Sequence, residues 1–183
     1  MSSRLNLLAR ENKGRQLAEE WVSLLQNMTG AEQVPRISLL ERDLLVEQHK
    51  IHYKGAVEGG GNTFRRFAMG SEKAKIAAFL RCFGATVRDK VVLYTPKPSE
   101  YCGAFLVPLG PVLQRFEELL ALDGDVLEIA SQDQTNGLVL DWNPGDPLET
   151  FELVVWGKEW AGSAGVCTDL PIRPRGRGDS QQG

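Results

Sequence analysis

The side chains of this chain with the strongest intrinsic chemistry are two histidines, His49 and His52, and three cysteines, Cys82, Cys102 and Cys167. A cysteine beside a histidine base can carry acyl transfer, and Cys102, in Ser99-Glu100-Tyr101-Cys102-Gly103, is the candidate nucleophile. The plainer reading of Cys102 is a small thiol at the start of a strand, and it is the one favoured. A zinc site needs three or four ligands at set spacings, and neither H-E-x-x-H nor C-x-x-C is present. No metal and no cofactor are therefore expected, and no catalytic residue is assigned. The cysteines are odd in number and far apart, which predicts reduced, buried thiols and not a disulfide framework.

The segment Gly59-Gly60-Gly61-Asn62-Thr63-Phe64-Arg65-Arg66-Phe67 invites comparison with a phosphate loop. A dinucleotide fingerprint would need a glycine where Phe64 stands, and the next helix signal comes only at Ser71. The glycines instead read as a turn entering a strand. On that strand Phe64 and Arg66 share one face, and Arg65 and Phe67 the other. Arginines among aromatic rings also suit a nucleic-acid groove, so Lys54, Arg65 and Arg66 form an alternative ligand-binding set for a phosphate group or nucleic acid.

Charge is unevenly divided. Residues 1–90 carry 15 Lys/Arg against 10 Asp/Glu, a balance of +5, whereas residues 91–168 carry 3 against 12, a balance of −9. An acidic block attracts basic partners at long range and repels nucleic acid; the charged outer faces of a solvated sheet can produce the same bias. Acids and aromatic groups interleave in this block, a composition of protein-binding surfaces. The expected partner-binding residues are Tyr101, Asp133, Asp141, Trp142, Asp146, Glu149, Glu152 and Trp156.

The elements that hold these residues follow from periodicity. Leu17, Trp21, Leu24, Leu25 and Met28 recur at helical steps, with Gly30 as a stop. Ser38-Leu39-Leu40-Glu41 could open a helix, yet the alternation from Leu44 to Tyr53 favours a strand there. A helix is expected over Glu72–Phe83, capped by Ser71 and ended by Gly84, and another from Pro111 to the Asp123-Gly124 stop. Strands are expected over 90–95, 104–107, 126–130, 138–142 and 151–156, with turns at Asn136-Gly137 and Asn143–Pro147. The sum is an α+β domain over residues 1–160, a mostly antiparallel sheet with about three helices on one face. Residues 161–183 read as a flexible Gly/Pro/Arg-rich tail.

No apolar run reaches membrane-spanning length, and the polar N-terminus favours a cytoplasmic location; the Arg177-Gly178-Asp179-Ser180 tetrapeptide is discounted accordingly. The leading functional expectation is a non-enzymatic protein-binding module, an acidic inhibitor of a basic intracellular enzyme such as a nuclease or toxin, immunity-protein-like in character. The alternatives are the phosphate or nucleic-acid binder already described and an oligomeric scaffold subunit.

Overall fold

The computed structural model describes residues 2–60, 63–70, 73–94, 100–124, 126–143 and 150–167. Helix α1 (Ser2–Thr29) buries Ala18, Trp21, Leu25 and Met28, which fall at three- and four-residue steps along one side. It begins well before the apolar stripe, so Leu5 and Leu8 stay exposed. Gly30 ends it with a left-handed φ of 66° and an N–H bonded back to the Gln26 carbonyl.

The segment expected to be a strand over Leu44–Tyr53 is helical instead. Helix α2 (Leu39–Gly59) opens on Ser38, whose hydroxyl accepts the Glu41 N–H at 3.2 Å. That cap satisfies an otherwise orphaned donor and is typically worth about 1 kcal/mol. The alternation along the segment has no structural counterpart: Leu39 is buried at the start of the helix, and His49 and Ala56, two turns apart, are buried on one side of it.

Among the described residues seven strands form one antiparallel sheet: β1 (Arg36–Ile37), β2 (Phe64–Gly70), β3 (Lys90–Tyr94), β4 (Ala104–Pro108), β5 (Val126–Ser131), β6 (Gly137–Asn143) and β7 (Thr150–Trp156), in the order β1-β4-β3-β5-β6-β7-β2. The expected α+β class is the one observed, with more than three helices. Helices α3 (Lys73–Thr86), α4 (Leu109–Gln114), α5 (Phe116–Asp123) and α6 (Lys158–Val166) join α1 on one face. There Phe79, Leu113 and Trp160 meet the inward residues of the strands, such as Leu93, Phe105, Ile129 and Leu153. Each such side chain contributes roughly 1.5–3 kcal/mol through burial. Among the described residues, helix α2 alone covers part of the opposite face, where Leu45 and Val46 pack on Val92 and Tyr94, and Ala56 packs on Trp156.

Three local expectations change. Gly84 does not end α3; it lies within it, where its missing side chain admits the Gly110 backbone at 3.1 Å from an added Cβ. Gly137 is a strand residue, not a turn, paired with Ala130 and Trp156, and the Trp156 ring fills the space its Cβ would need. The helix after Pro108 is broken at Arg115 into α4 and α5.

The C-terminal boundary moves as well. Ala161 and Ala164 of α6 are buried, so the packed fold continues past residue 160. Residues 168–183 lie outside those described. Cys82 and Cys167 form a disulfide, which overturns the expectation of three reduced thiols; Cys102 is free and buried. The pairing joins α3 to the end of α6, elements 85 residues apart in the chain.

Candidate functional site

Strand alternation decides which predicted residues share a face. On β6 and β7, Leu138, Leu140, Phe151, Leu153 and Val155 enter the main core. Val139, Asp141, Glu152, Val154 and Trp156 therefore face the side that carries α2. Asp141 lies directly opposite Glu152 across the β6–β7 ladder. On β5, Glu128 faces the same way; it pairs with Val139 and so sits diagonal to Asp141. Three adjacent strands thus place three carboxylates on the α2 side of the sheet, Glu128 against His49 of the helix.

Between this strip and α2 runs a groove of about 300 Å³, lined by His49, Lys50, Tyr53, Glu128, Val139 and Val154. His49 is buried beneath the helix, and its Nε2 meets the Glu128 carboxylate at 3.0 Å. Its ring stands edge-on to Trp156, with centroids 4.8 Å apart, and to Tyr94 at 5.8 Å. The Nδ1 of His49 is buried without a hydrogen-bond partner among the described residues. Tyr53, half-exposed at the rim, stands edge-on to Phe64 and Trp156. Behind the groove, the Tyr94 hydroxyl donates to the buried Gln134 side chain at 2.8 Å. Burial, and then the Glu128 charge, push the Tyr94 phenol above its ordinary range.

The other expected partner residues are dispersed. Asp133 sits in the β5–β6 turn, at the far end of the hairpin from Asp141, and accepts from the Ser131 hydroxyl, the Thr135 N–H and the Thr135 hydroxyl. Those bonds hold its carboxyl below the usual carboxylate range, the Ser131 hydroxyl most strongly. Its lone pairs shape the turn. Trp156, expected as an anchor, is a core residue beneath α2. Trp142 lies on the opposite face from Asp141, stacked on Phe151 with centroids 5.9 Å apart and with the Lys73 ammonium 5.8 Å from its ring centre. Tyr101 packs against the main core with the Lys13 ammonium 4.2 Å above its ring. Asp146 and Glu149 fall outside the described residues.

The alternative cationic set does not converge. Arg66 is ion-paired with Glu152 on the groove side of the sheet. Arg65 points to the other face, its guanidinium against Gly165 near the end of α6, while Lys54 projects from α2. Cys102 packs in the main core, its thiol 3.5 Å from the Gly14 carbonyl and its ionisation opposed by burial. His49 is on the other side of the sheet, so the two do not form a pair. No group of three or more His, Cys, Asp or Glu converges as a metal site among the described residues, and no described helix is long and apolar enough to cross a membrane.

Sequence reasoning missed Glu128 and His49 as site residues. Glu128 carried a signal, being the single charge within the apolar strand Val126-Leu127-Glu128-Ile129-Ala130. His49 stands out as one of only two histidines, but on a strand it has no partner that spacing reveals. Comparison with protein families, with curated proteins and with solved structures finds no match for this chain.

Proposed function

We propose that the protein is a non-enzymatic binding module, and that its recognition surface is the acidic strip of Glu128, Asp141 and Glu152 beside the α2 groove. The observation that carries this reading is their register: one carboxylate from each of three neighbouring strands, all on the sheet face that α2 leaves partly uncovered. A basic segment of a protein partner suits it. Its cationic side chains would meet the strip and compete with Arg66 for Glu152, and its stems would lie on Val139, Val154 and Tyr53. The aromatic anchors first expected are replaced by this shallow apolar floor. One concrete form is an inhibitor of a basic intracellular enzyme, nuclease or toxin, analogous to immunity proteins in size and charge alone.

Native mass spectrometry of protein purified at low salt from its own host tests this. The expected result is a co-purifying basic protein that is lost as salt rises. The double substitution Glu128→Lys with Asp141→Lys should weaken that complex tenfold or more, a loss of about 1.4 kcal/mol per tenfold, and flatten its salt dependence. Retained nucleotide or nucleic acid in place of a protein would overturn the reading. The cytoplasmic location belongs to the same proposal, and the Cys82–Cys167 pairing gives it a check, since disulfides persist mainly in oxidising compartments.

A further inference from the structure

Helix α2 turns one apolar stripe inward and a second one outward. Leu40, Leu44 and Ile51 are 60%, 62% and 70% exposed, although the opposite side of the helix packs on the sheet. With 3.6 residues per turn, positions 40, 44, 47, 51 and 55 follow one another along the outer side. An added Cβ at Gly55, the last of them, would meet nothing within 4 Å.

This stripe has an internal two-fold character. When a second α2 is laid antiparallel against the first, with the symmetry axis between Glu47 and Gln48, Leu44 of each copy falls opposite Ile51 of the other. Leu40 falls opposite Gly55, whose missing side chain leaves room for it. In an antiparallel pair each flank meets its own counterpart. One flank then brings Glu41 close to His52 of the other copy. The second flank brings Glu47 and Lys50, already bonded to each other at 2.8 Å, against the same pair reversed, so that each Glu47 lies near the other copy's Lys50 as well as its Glu47 and the two neutralised pairs meet at the axis. We propose that this outer face of α2 binds a second copy of the chain in an isologous dimer. The acidic groove lies toward the other side of the helix and shares only Lys50 with this face, so Leu44 and Ile51 test the dimer without entering the proposed partner site.

The area sets the strength. The three side chains offer roughly 300 Å² of apolar surface per protomer, against about 800 Å² per partner in a standard interface. The contact is therefore smaller than a standard interface, and the association it supports is a weak one.

Sedimentation equilibrium of the full chain over a range from about 1 µM to 500 µM tests the proposal. The expected result is a monomer–dimer equilibrium in the wild type, weakened at least tenfold by Leu44→Glu and by Ile51→Lys, each with an unchanged circular dichroism spectrum because both positions are exposed. Mixing the two variants should restore dimerisation. One of the two apolar contacts then becomes a Glu–Lys pair, and the other is again Leu44 against Ile51. A wild type that stays monomeric throughout overturns the proposal and leaves the stripe to a different protein. A dimer indifferent to both substitutions places the interface elsewhere and also overturns it. Variants that are each monomeric and stay so when mixed overturn the antiparallel register.

Discussion

Removing the Cys82–Cys167 cross-link should cost stability through the unfolded state. The bond ties residues 85 apart in sequence. In the chain-entropy treatment, closing a loop of that length removes entropy worth about 4.6 kcal/mol at 25 °C. Measured losses usually fall nearer ~2–4 kcal/mol, since the reduced chain retains some structure. Urea unfolding followed by tryptophan fluorescence suits the measurement, because Trp21, Trp156 and Trp160 are buried and change surroundings on unfolding. With a slope of about 2 kcal/mol/M, the midpoint of Cys82→Ser should fall by roughly 1–2 M. Cys167→Ser and the double variant should give the same fall, because the cross-link is lost once. Reductant added to the wild type should reproduce it. Thiol titration of the unreduced, denatured protein should find Cys102 alone, and alkylation at the moment of cell lysis should report whether the bond exists in the host's own compartment. Three titratable thiols, or equal midpoints with and without reductant, would refute the reasoning.

Two further substitutions probe the groove's foundations. Gly137→Ala places a methyl where the Trp156 ring lies, an overpacking that should cost about 1–3 kcal/mol and lower the Tm by several degrees in a thermal melt. Tyr94 gives an alkaline signature. Its phenol holds its proton more tightly in the fold than the usual value near 10 for an exposed tyrosine. The unfolded chain therefore releases that proton first, and stability, level below about pH 9, should fall as pH rises through 10. Urea midpoints measured from pH 8 to 11 should show this limb in the wild type, and Tyr94→Phe should flatten it.

Much of the architecture was legible because it is local. The helix in α1, the edges of β3 to β7 and the Ser38 cap follow from short-range periodicity and donor satisfaction. The misreading of α2 shows where that fails. Val46, Gln48, Lys50 and His52 alternate in a strand-like way, but only a narrow stripe of α2 touches the sheet and its outer side is itself apolar, so polarity does not mark the buried face. Trp156 reads as an anchor because aromatic groups and acids interleave around it; its burial depends on β2 pairing beyond it and α2 covering it, both distant in sequence. The disulfide has no spacing signal at all. Within the site, Asp141 and Glu152 could be named from composition, but their alliance with Glu128 is a matter of register between strands.

The strand order also bears on biosynthesis. Among the described residues β2 lies at an edge of the sheet, hydrogen-bonded to β7 alone, with Phe64 opposite Trp156. A ribosome adding about 5–20 residues per second needs on the order of 5–18 s to make the intervening chain. Throughout that interval Phe64-Arg65-Arg66-Phe67 exists as a nascent strand with neither side paired. Aromatic, extended segments in that condition recruit other chains, and charged residues within them act as gatekeepers. The two adjacent arginines, which in the finished fold part to opposite faces, would protect the growing polypeptide while it waits for β7.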